Sequence, residues 1–176
     1  MKSYAQIVER HRKYRIREML PNDSLSHAAV LFHNILQAAI DSKLDVKIVS
    51  GSLMKQFYDQ FVDKLNILLA TNKVDVVLLD VDEDELRDNK FFEAVSKSDQ
   101  GSIFRSSGIH SHFILAGDRI YRFETDHLVG EAIANFNDVT MGKWLLTQFD
   151  LLRGISSVYE PQAASAAQFT TFAQSV

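Results

Sequence analysis

Residues 74–79 form an almost uninterrupted run of β-branched and apolar side chains, Val-Asp-Val-Val-Leu-Leu, in the middle of the chain. A run of this kind is typical of a strand that is buried on both faces of a sheet. Such a strand needs covering elements on each side, which favours an α/β layered fold. The chain has 176 residues, 46% of them hydrophobic, and is long enough to bury one sizeable core.

The segments around this run alternate between helical and strand patterns. The predicted helices span residues 24–42, 53–70, Asp80 to Lys97 and 141–153. The predicted strands span residues 45–49, 74–79, 102–106, 112–116 and 119–124. Gly117-Asp118 is predicted to be a two-residue hairpin turn between the last two strands. This order predicts an α/β fold with a single mixed β-sheet flanked by helices on both faces.

The two terminal segments differ in composition from this middle part. Residues 1–21 predict a basic amphipathic helix that ends at Pro21. Its candidate phosphate or nucleic-acid contacts are Arg10, Arg12, Lys13, Arg15 and Arg17. A solvated face against an acidic neighbouring surface is the alternative for this patch. Residues 155–176 carry one charge and are expected to be mobile or to pack on a partner, which leaves residues 22–154 as the α/β domain.

Composition excludes several classes of function. The chain has no cysteine, which rules out disulfides, thiolate zinc sites, iron–sulfur clusters and cysteine nucleophiles. No apolar run approaches the roughly 18 residues of a membrane span, and no signal-peptide core follows the basic start of the chain. The net charge of −4 gives no overall attraction to nucleic acid. We therefore expect no membrane association and take the cytoplasm as the default location.

An acidic cluster is the first candidate site. Asp80 and Asp82 follow the buried strand, and carboxylates at strand ends hold Mg²⁺ in several α/β folds. A Mg²⁺-dependent phosphatase is one interpretation, although its Asp-x-Asp motif belongs near the start of a domain. A solvated acidic helix start is the interpretation that we favour, so neither a metal nor a cofactor is predicted.

A pair of histidines is the second candidate site. His110 and His112 alternate on one predicted strand, so their side chains point to the same side. One imidazole could attack phosphorus while the other acts as an acid or stabilises charge. A shared metal ion and an edge strand with two incidental histidines are the alternatives. Arg122 and Glu124 alternate on the following strand and are expected to pair with each other or to line one cleft.

The segment from His110 to Asn137 resembles the signature of the phospholipase D superfamily, His-x-Lys-x4-Asp-x6-Gly-Ser-x-x-Asn on a strand, a turn and a strand. His110 falls on the nucleophilic histidine and His112 on the lysine, while Gly117-Asp118 reverses the order of an Asp-Gly turn. Glu124-Thr125 stands where Gly-Ser would be, and Ala134-Asn135-Phe136 is similar to the Ala-Asn-Phe of some members. The candidate catalytic residues are therefore His110, His112, Asp118, Glu124, Thr125 and Asn135.

The resemblance implies a phospholipase-D-like α/β/α sandwich over residues 24–153 and a homodimer in which two His110 side chains face each other. Active members hold the phosphate with a lysine, whose charge an imidazole matches only when it is protonated. We therefore predict a non-catalytic binding, scaffolding or regulatory module, with a protein partner at the basic helix or at the C-terminal tail. A metal-independent phosphodiesterase or nuclease with His110 as its nucleophile is the alternative, and its ligand would be nucleic acid or another phosphodiester.

Overall fold

One mixed β-sheet runs through the protein, whose computed structural model describes residues 2–79, 83–107, 111–126 and 130–159. The strands in these ranges are β1 (Leu20–Asn22), β2 (Val46–Ser50), β3 (Val74–Leu78), β4 (Gly101–Arg105), β5 (Phe113–Ala116), β6 (Ile120–Asp126), β7 (Glu131–Asn135) and β8 (Ser157–Val158). Their order in the sheet is β1-β7-β6-β5-β2-β3-β4-β8. β2, β3 and β4 are parallel, and the other neighbouring pairs are antiparallel. The predicted fold class is confirmed.

Helices cover both faces of this sheet. They are α1 (Tyr4–Tyr14), α2 (Leu25–Ser42), α3 (Lys55–Tyr58), α4 (Val62–Leu69), α5 (Glu83–Leu86), α6 (Lys90–Lys97) and α7 (Val139–Ile155). α1, α2, α4 and α6 pack in the core on one face, and α7 packs on the other. The central strand β3 contributes side chains to both cores. Val76 and Leu78 lie in the core on the α2 face of the sheet, and Val77 lies in the core beneath α7. This arrangement confirms that the apolar run is buried on two faces.

The N-terminal helix is shorter than predicted. α1 ends at Tyr14, where Arg15 takes a left-handed conformation with a φ of 51° and caps the helix with a hydrogen bond to the carbonyl of His11. Pro21 does not end this helix, since it lies inside β1 and opposite Ile133 of β7. A proline is tolerated there because β1 is an edge strand and part of its backbone needs no sheet partner.

Two predicted helices are interrupted. The pattern over residues 53–70 forms α3, a 3₁₀ turn at Asp59–Phe61 and then α4. The pattern that begins at Asp80 forms α5 and α6, because Asn89 starts a new helix by accepting a hydrogen bond from the backbone N–H of Phe92 at 2.9 Å. Asp80 itself, and Asp82 with it, lie outside the described residues.

The C-terminal half contains strands that the patterns do not predict. β7 and β8 are additional, and the turn between β5 and β6 has three residues, 117–119, rather than two. α7 continues through Gly154 to Ile155, and Ser157 and Val158 then pair with β4. The predicted tail therefore begins inside ordered structure, and residues 160–176 lie outside the described residues.

Candidate functional site

A cavity of about 400 Å³ lies at the carboxyl end of β2, between the sheet and the helices α2 and α3. Its apolar lining includes Leu25, Ala28, Phe32, Met54, Phe57 and Ile114. Its polar lining includes Ser50, Tyr58, His112, Arg122 and Glu124. Ligands of open α/β sheets bind at the carboxyl ends of strands, and the volume is within the range of small-molecule sites.

Strand alternation brings three of the polar groups together. Arg122 and Glu124 are two residues apart on β6, so both side chains face α2 and line the cavity, which is one of the two arrangements expected for them. His112 lies opposite Glu124, whose backbone N–H donates to the His112 carbonyl at 2.9 Å. The His112 Nδ1 lies 2.8 Å from Glu124 Oε2, so the imidazole and the carboxylate form a largely buried pair.

The imidazole of His112 is also held from its other side. A Cβ atom built on Gly51 would lie 3.1 Å from His112 Nε2, which is closer than side chains ordinarily approach. Gly51 follows β2 directly and thus leaves just enough room for the ring. The ring orientation is therefore fixed by the Glu124 carboxylate and by the backbone after β2.

Arg122 is a partly buried cation with few partners in the protein. Its Nε donates to Asn22 Oδ1 at 2.6 Å, and the Asn22 side chain is itself oriented by a hydrogen bond from Nδ2 to the Ser24 carbonyl at 2.9 Å. Among the described residues the guanidinium makes no other hydrogen bond and no ion pair with a carboxylate. Burial lowers the pKa of Arg122, and the nearby Glu124 carboxylate opposes this shift. Its terminal nitrogens are therefore the donors that this wall offers to a ligand.

Tyr58 supplies a neutral polar group to the same cavity. Its hydroxyl donates to Ser50 Oγ at 3.1 Å, and Ser50 Oγ donates in turn to the Ser52 carbonyl at 2.7 Å. Burial raises the pKa of Tyr58, which keeps the hydroxyl protonated at neutral pH. The chain of donors leaves the Tyr58 oxygen able to accept a further hydrogen bond.

Tyr4 connects the first helix to this site. Its hydroxyl donates to the Pro21 carbonyl at 2.8 Å, and its ring stacks on His27 with a centroid separation of 3.7 Å. These contacts fix β1 and thereby position Asn22, the partner of Arg122. The first helix is thus part of the framework of the site.

Raising the pH above 10 is expected to destabilise the protein partly through Tyr4. Burial raises the pKa of Tyr4 to about 12, whereas the unfolded chain ionises it at its ordinary value of 10.0. The contribution of Tyr4 to stability is thus complete below pH 10 and is lost as the pH rises towards 12. Urea unfolding at pH 9 and 11 should show a smaller decline in Tyr4→Phe than in the wild type, and the exposed Tyr14→Phe is the control. Equal declines in Tyr4→Phe and the wild type would contradict this account.

Three of the predicted catalytic residues lie away from the cavity. Asp118 is at the opposite end of β5 and β6, where its carboxylate pairs with Arg119 at 2.8 Å and its pKa is lowered by that hydrogen bond. Thr125 is exposed and donates to the Glu131 carbonyl at 3.2 Å. Asn135 lies opposite Tyr121, on the α7 face, and accepts a hydrogen bond from the backbone of Asn137 at 2.8 Å. His110 lies outside the described residues.

None of the predicted basic contacts lines the cavity. Arg12 binds Asn34 and Asp41, at 3.1 and 2.6 Å, and Arg15 binds Ser42. Arg17 lies 3.9 Å from Asp138, and Arg10 and Lys13 are exposed. Of their partners, Asp41 and Ser42 lie at the end of α2, about 25 Å from its first residue at about 1.5 Å per residue, and Asn34 lies in its middle. The basic face therefore does not border the site.

The described residues contain neither a group of metal ligands nor a membrane-spanning helix. Across residues 2–79, 83–107, 111–126 and 130–159, no three His, Asp or Glu side chains are grouped as metal ligands. Within the same ranges, no helix combines the length and the apolar character needed to cross a bilayer.

The sequence matches no protein-family model and no curated protein. Solved structures do share its fold. One is TrmBL2, an archaeal chromatin protein with a novel mode of DNA binding, with a TM-score of 0.65 and 8% identity over 84% of this chain. The chain spans 55% of the length of TrmBL2.

Two further structures are matched over nearly their whole length. Nuc from Salmonella typhimurium, a phospholipase D family member, has a TM-score of 0.53 and 15% identity over 82% of this chain and 99% of its own. NucT from Helicobacter pylori has a TM-score of 0.59 and 8% identity over 82% of this chain and 100% of its own. At these identities the likeness establishes the fold, which is phospholipase-D-like, as the sequence resemblance implied.

Proposed function

We propose that this chain is a non-catalytic binding module with a phospholipase-D-like fold, and that its cavity holds an anion at Arg122. The observation that carries the proposal is the guanidinium itself, which is partly buried and ion-paired to no carboxylate of the described residues. A buried charge is costly unless it is paired, so such a group is commonly kept for a ligand of opposite charge.

The pair formed by His112 and Glu124 supports a non-catalytic role. His112 stands where the family signature has a lysine, a permanent cation at neutral pH. Because Glu124 Oε2 lies 2.8 Å from His112 Nδ1, the pair has a net charge of zero or −1, depending on the protonation of the imidazole. It therefore cannot replace the positive charge with which active members hold a phosphate.

The positions of Asp118 and Asn135 support the same conclusion. Neither residue lines the cavity, and each has a structural partner near its own turn. A hydrolytic site built from the candidate catalytic residues would need them beside His112. Nucleic acid or another phosphodiester stays compatible as the source of the anion, given the fold shared with Nuc and TrmBL2.

A metal-independent phosphodiesterase with His110 as its nucleophile is the second candidate function. The fold shared with Nuc favours it. It also requires a homodimer that joins two His110 side chains, which sedimentation velocity of the purified protein would detect. The Mg²⁺-dependent phosphatase at Asp80 and Asp82 is the third interpretation and depends on residues outside the described ranges.

Cleavage assays separate these functions. We expect no cleavage of bis(p-nitrophenyl) phosphate, or of single- or double-stranded DNA and RNA, by the purified protein in EDTA or in Mg²⁺. Cleavage that tolerates EDTA and disappears in His110→Ala would replace our proposal with the phosphodiesterase. Cleavage that requires Mg²⁺ and disappears in Asp80→Ala would indicate the phosphatase instead.

A further inference from the structure

We infer that the anion bound at Arg122 is the carboxylate of a small molecule with an apolar chain or ring. This inference rests on the proposed anion site and specifies its ligand. Three features of the cavity carry it: its charge, the placement of its apolar side chains and the small number of cations among its described lining residues.

The charges of the described lining residues match a ligand with one negative charge. Arg122 contributes +1, while the pair of His112 and Glu124 contributes zero or −1. A dianion such as a phosphate monoester would place its second charge near the Glu124 carboxylate. Since Asn22 occupies Nε, the two terminal nitrogens of Arg122 remain as a planar pair of donors, a geometry that suits a carboxylate.

The mouth of the cavity is apolar. Leu25 and Met54 line it and are nonetheless 65% and 46% exposed. Phe57, on α3 three residues after Met54, lines the cavity as well. Exposed apolar side chains around a polar floor indicate a ligand whose charged end enters first and whose apolar part contacts the rim.

A polynucleotide suits this cavity poorly. Nucleic acids are bound through several cations that follow the phosphate backbone, often with aromatic rings that stack on bases. Here Arg122 and His112 are the basic side chains of the described lining, and His112 is engaged by Glu124. The basic residues of the N-terminal segment do not line the cavity, and Arg12 and Arg15 have partners within the protein at the far end of α2. A cavity of about 400 Å³ instead accommodates a small molecule.

The test is a calorimetric titration of the full chain with octanoate and 3-phenylpropionate. Acetate, which lacks the apolar part, and octan-1-ol, which lacks the charge, are the matched ligands. Octyl phosphate tests the second negative charge, and decathymidylate tests the polymer. We expect at least one of the two carboxylates to bind at least about tenfold more tightly than every other ligand in the panel.

Variants assign the binding to the cavity. Arg122→Gln is expected to lower the carboxylate affinity at least about tenfold, as the loss of a charge-assisted contact does. Leu25→Gln, at the exposed mouth, is expected to lower it about threefold or more. Ile67→Gln is the matched control, because Ile67 is 57% exposed on α4 and does not line the cavity, and its affinity should equal that of the wild type.

The outcomes separate this inference from the proposed function. Failure of both carboxylates to bind the wild type overturns the inference, as does an affinity that Arg122→Gln leaves unchanged. If Arg122→Gln does not fold by circular dichroism, an affinity unchanged in Leu25→Gln overturns it. Tighter binding of decathymidylate that depends on Arg122 overturns the ligand class and retains the proposed module. Cleavage lost in His110→Ala overturns the proposed non-catalytic function, whatever the carboxylates do.

Discussion

Lys47→Met is expected to lower the free energy of unfolding by about 3 to 5 kcal/mol, because it leaves the Asp75 carboxylate buried without its cation. Lys47 on β2 and Asp75 on β3 are register partners beneath α7. Their Nζ and Oδ2 atoms are 3.6 Å apart, and the two side chains are only 18% and 11% exposed. The Lys47 ammonium also lies 5.2 Å from the centroid of the Phe149 ring. Because this ring covers the ion pair, water does not easily take the place of the ammonium beside the Asp75 carboxylate.

A double variant separates the pair from the packing around it. Lys47→Met with Asp75→Val replaces both charges by apolar groups, which is often neutral or stabilising for a buried pair. We therefore expect the double variant to be more stable than Lys47→Met alone, and Lys47→Arg to remain near the wild type. Urea unfolding of the single and double variants gives the coupling energy. A coupling below about 0.5 kcal/mol would show that water, and not Lys47, compensates Asp75.

Gly142→Ala is expected to destabilise the protein by about 2 to 3 kcal/mol through overpacking. A Cβ atom at this position of α7 would lie 2.1 Å from the carbonyl oxygen of Asp118 and 2.6 Å from the backbone nitrogen of Arg119. Both atoms belong to the turn between β5 and β6, and a backbone turn cannot move aside as a flexible side chain does. The α7 backbone at Gly142 therefore packs directly against the backbone of this turn.

The same helix supplies the control for this prediction. Gly154 also lies in α7, but a Cβ atom there would have no neighbour within 4 Å. Gly154→Ala should therefore show only the helix preference of alanine and stabilise the protein by up to about 1 kcal/mol. Thermal unfolding should place the two variants on opposite sides of the wild type, and a rise in Tm for Gly142→Ala would contradict the close approach.

The elements that could be predicted are those whose signal is local. α2 and α7 repeat their apolar residues every three to four positions, and β2 and β3 are compact runs bounded by turn residues. Each pattern marks an apolar face that must be buried against another element. The mixed sheet with helices on both faces could therefore be predicted from the sequence. β1 and β7 lack such a signal, since one contains a proline and the other has alanine at two of its five positions.

The site was predictable only where its residues are close in the chain. Alternation along β6 predicted that Arg122 and Glu124 would pair with each other or line one cleft, and both residues line the cavity. Asn22, by contrast, reaches Arg122 across 100 residues of sequence, and no periodic pattern encodes that pairing. Tyr4 and Tyr58 were missed for the same reason.

A local signal for part of the site was nevertheless present. Ser50-Gly51-Ser52 begins at the last residue of β2, a strand that pairs in parallel with β3, and small residues at a carboxyl strand end often border a ligand. The placement of Asn135 depended on matching a motif, and a motif match does not determine the face to which a strand residue points. Its position opposite Tyr121 became evident only from the strand register.

The two ends of the sheet restrict how this domain can associate with other chains. At one end, β1 has three residues and its middle one is a proline, which has no N–H to donate. At the other end, β8 has two residues. In the part of the chain that the structure describes, neither end gives an incoming strand a ladder of useful length, so we expect this sheet to resist edge-to-edge aggregation. A fusion partner or a second subunit is therefore expected to be accommodated on helix and loop surfaces rather than as a strand added to either edge of the described sheet.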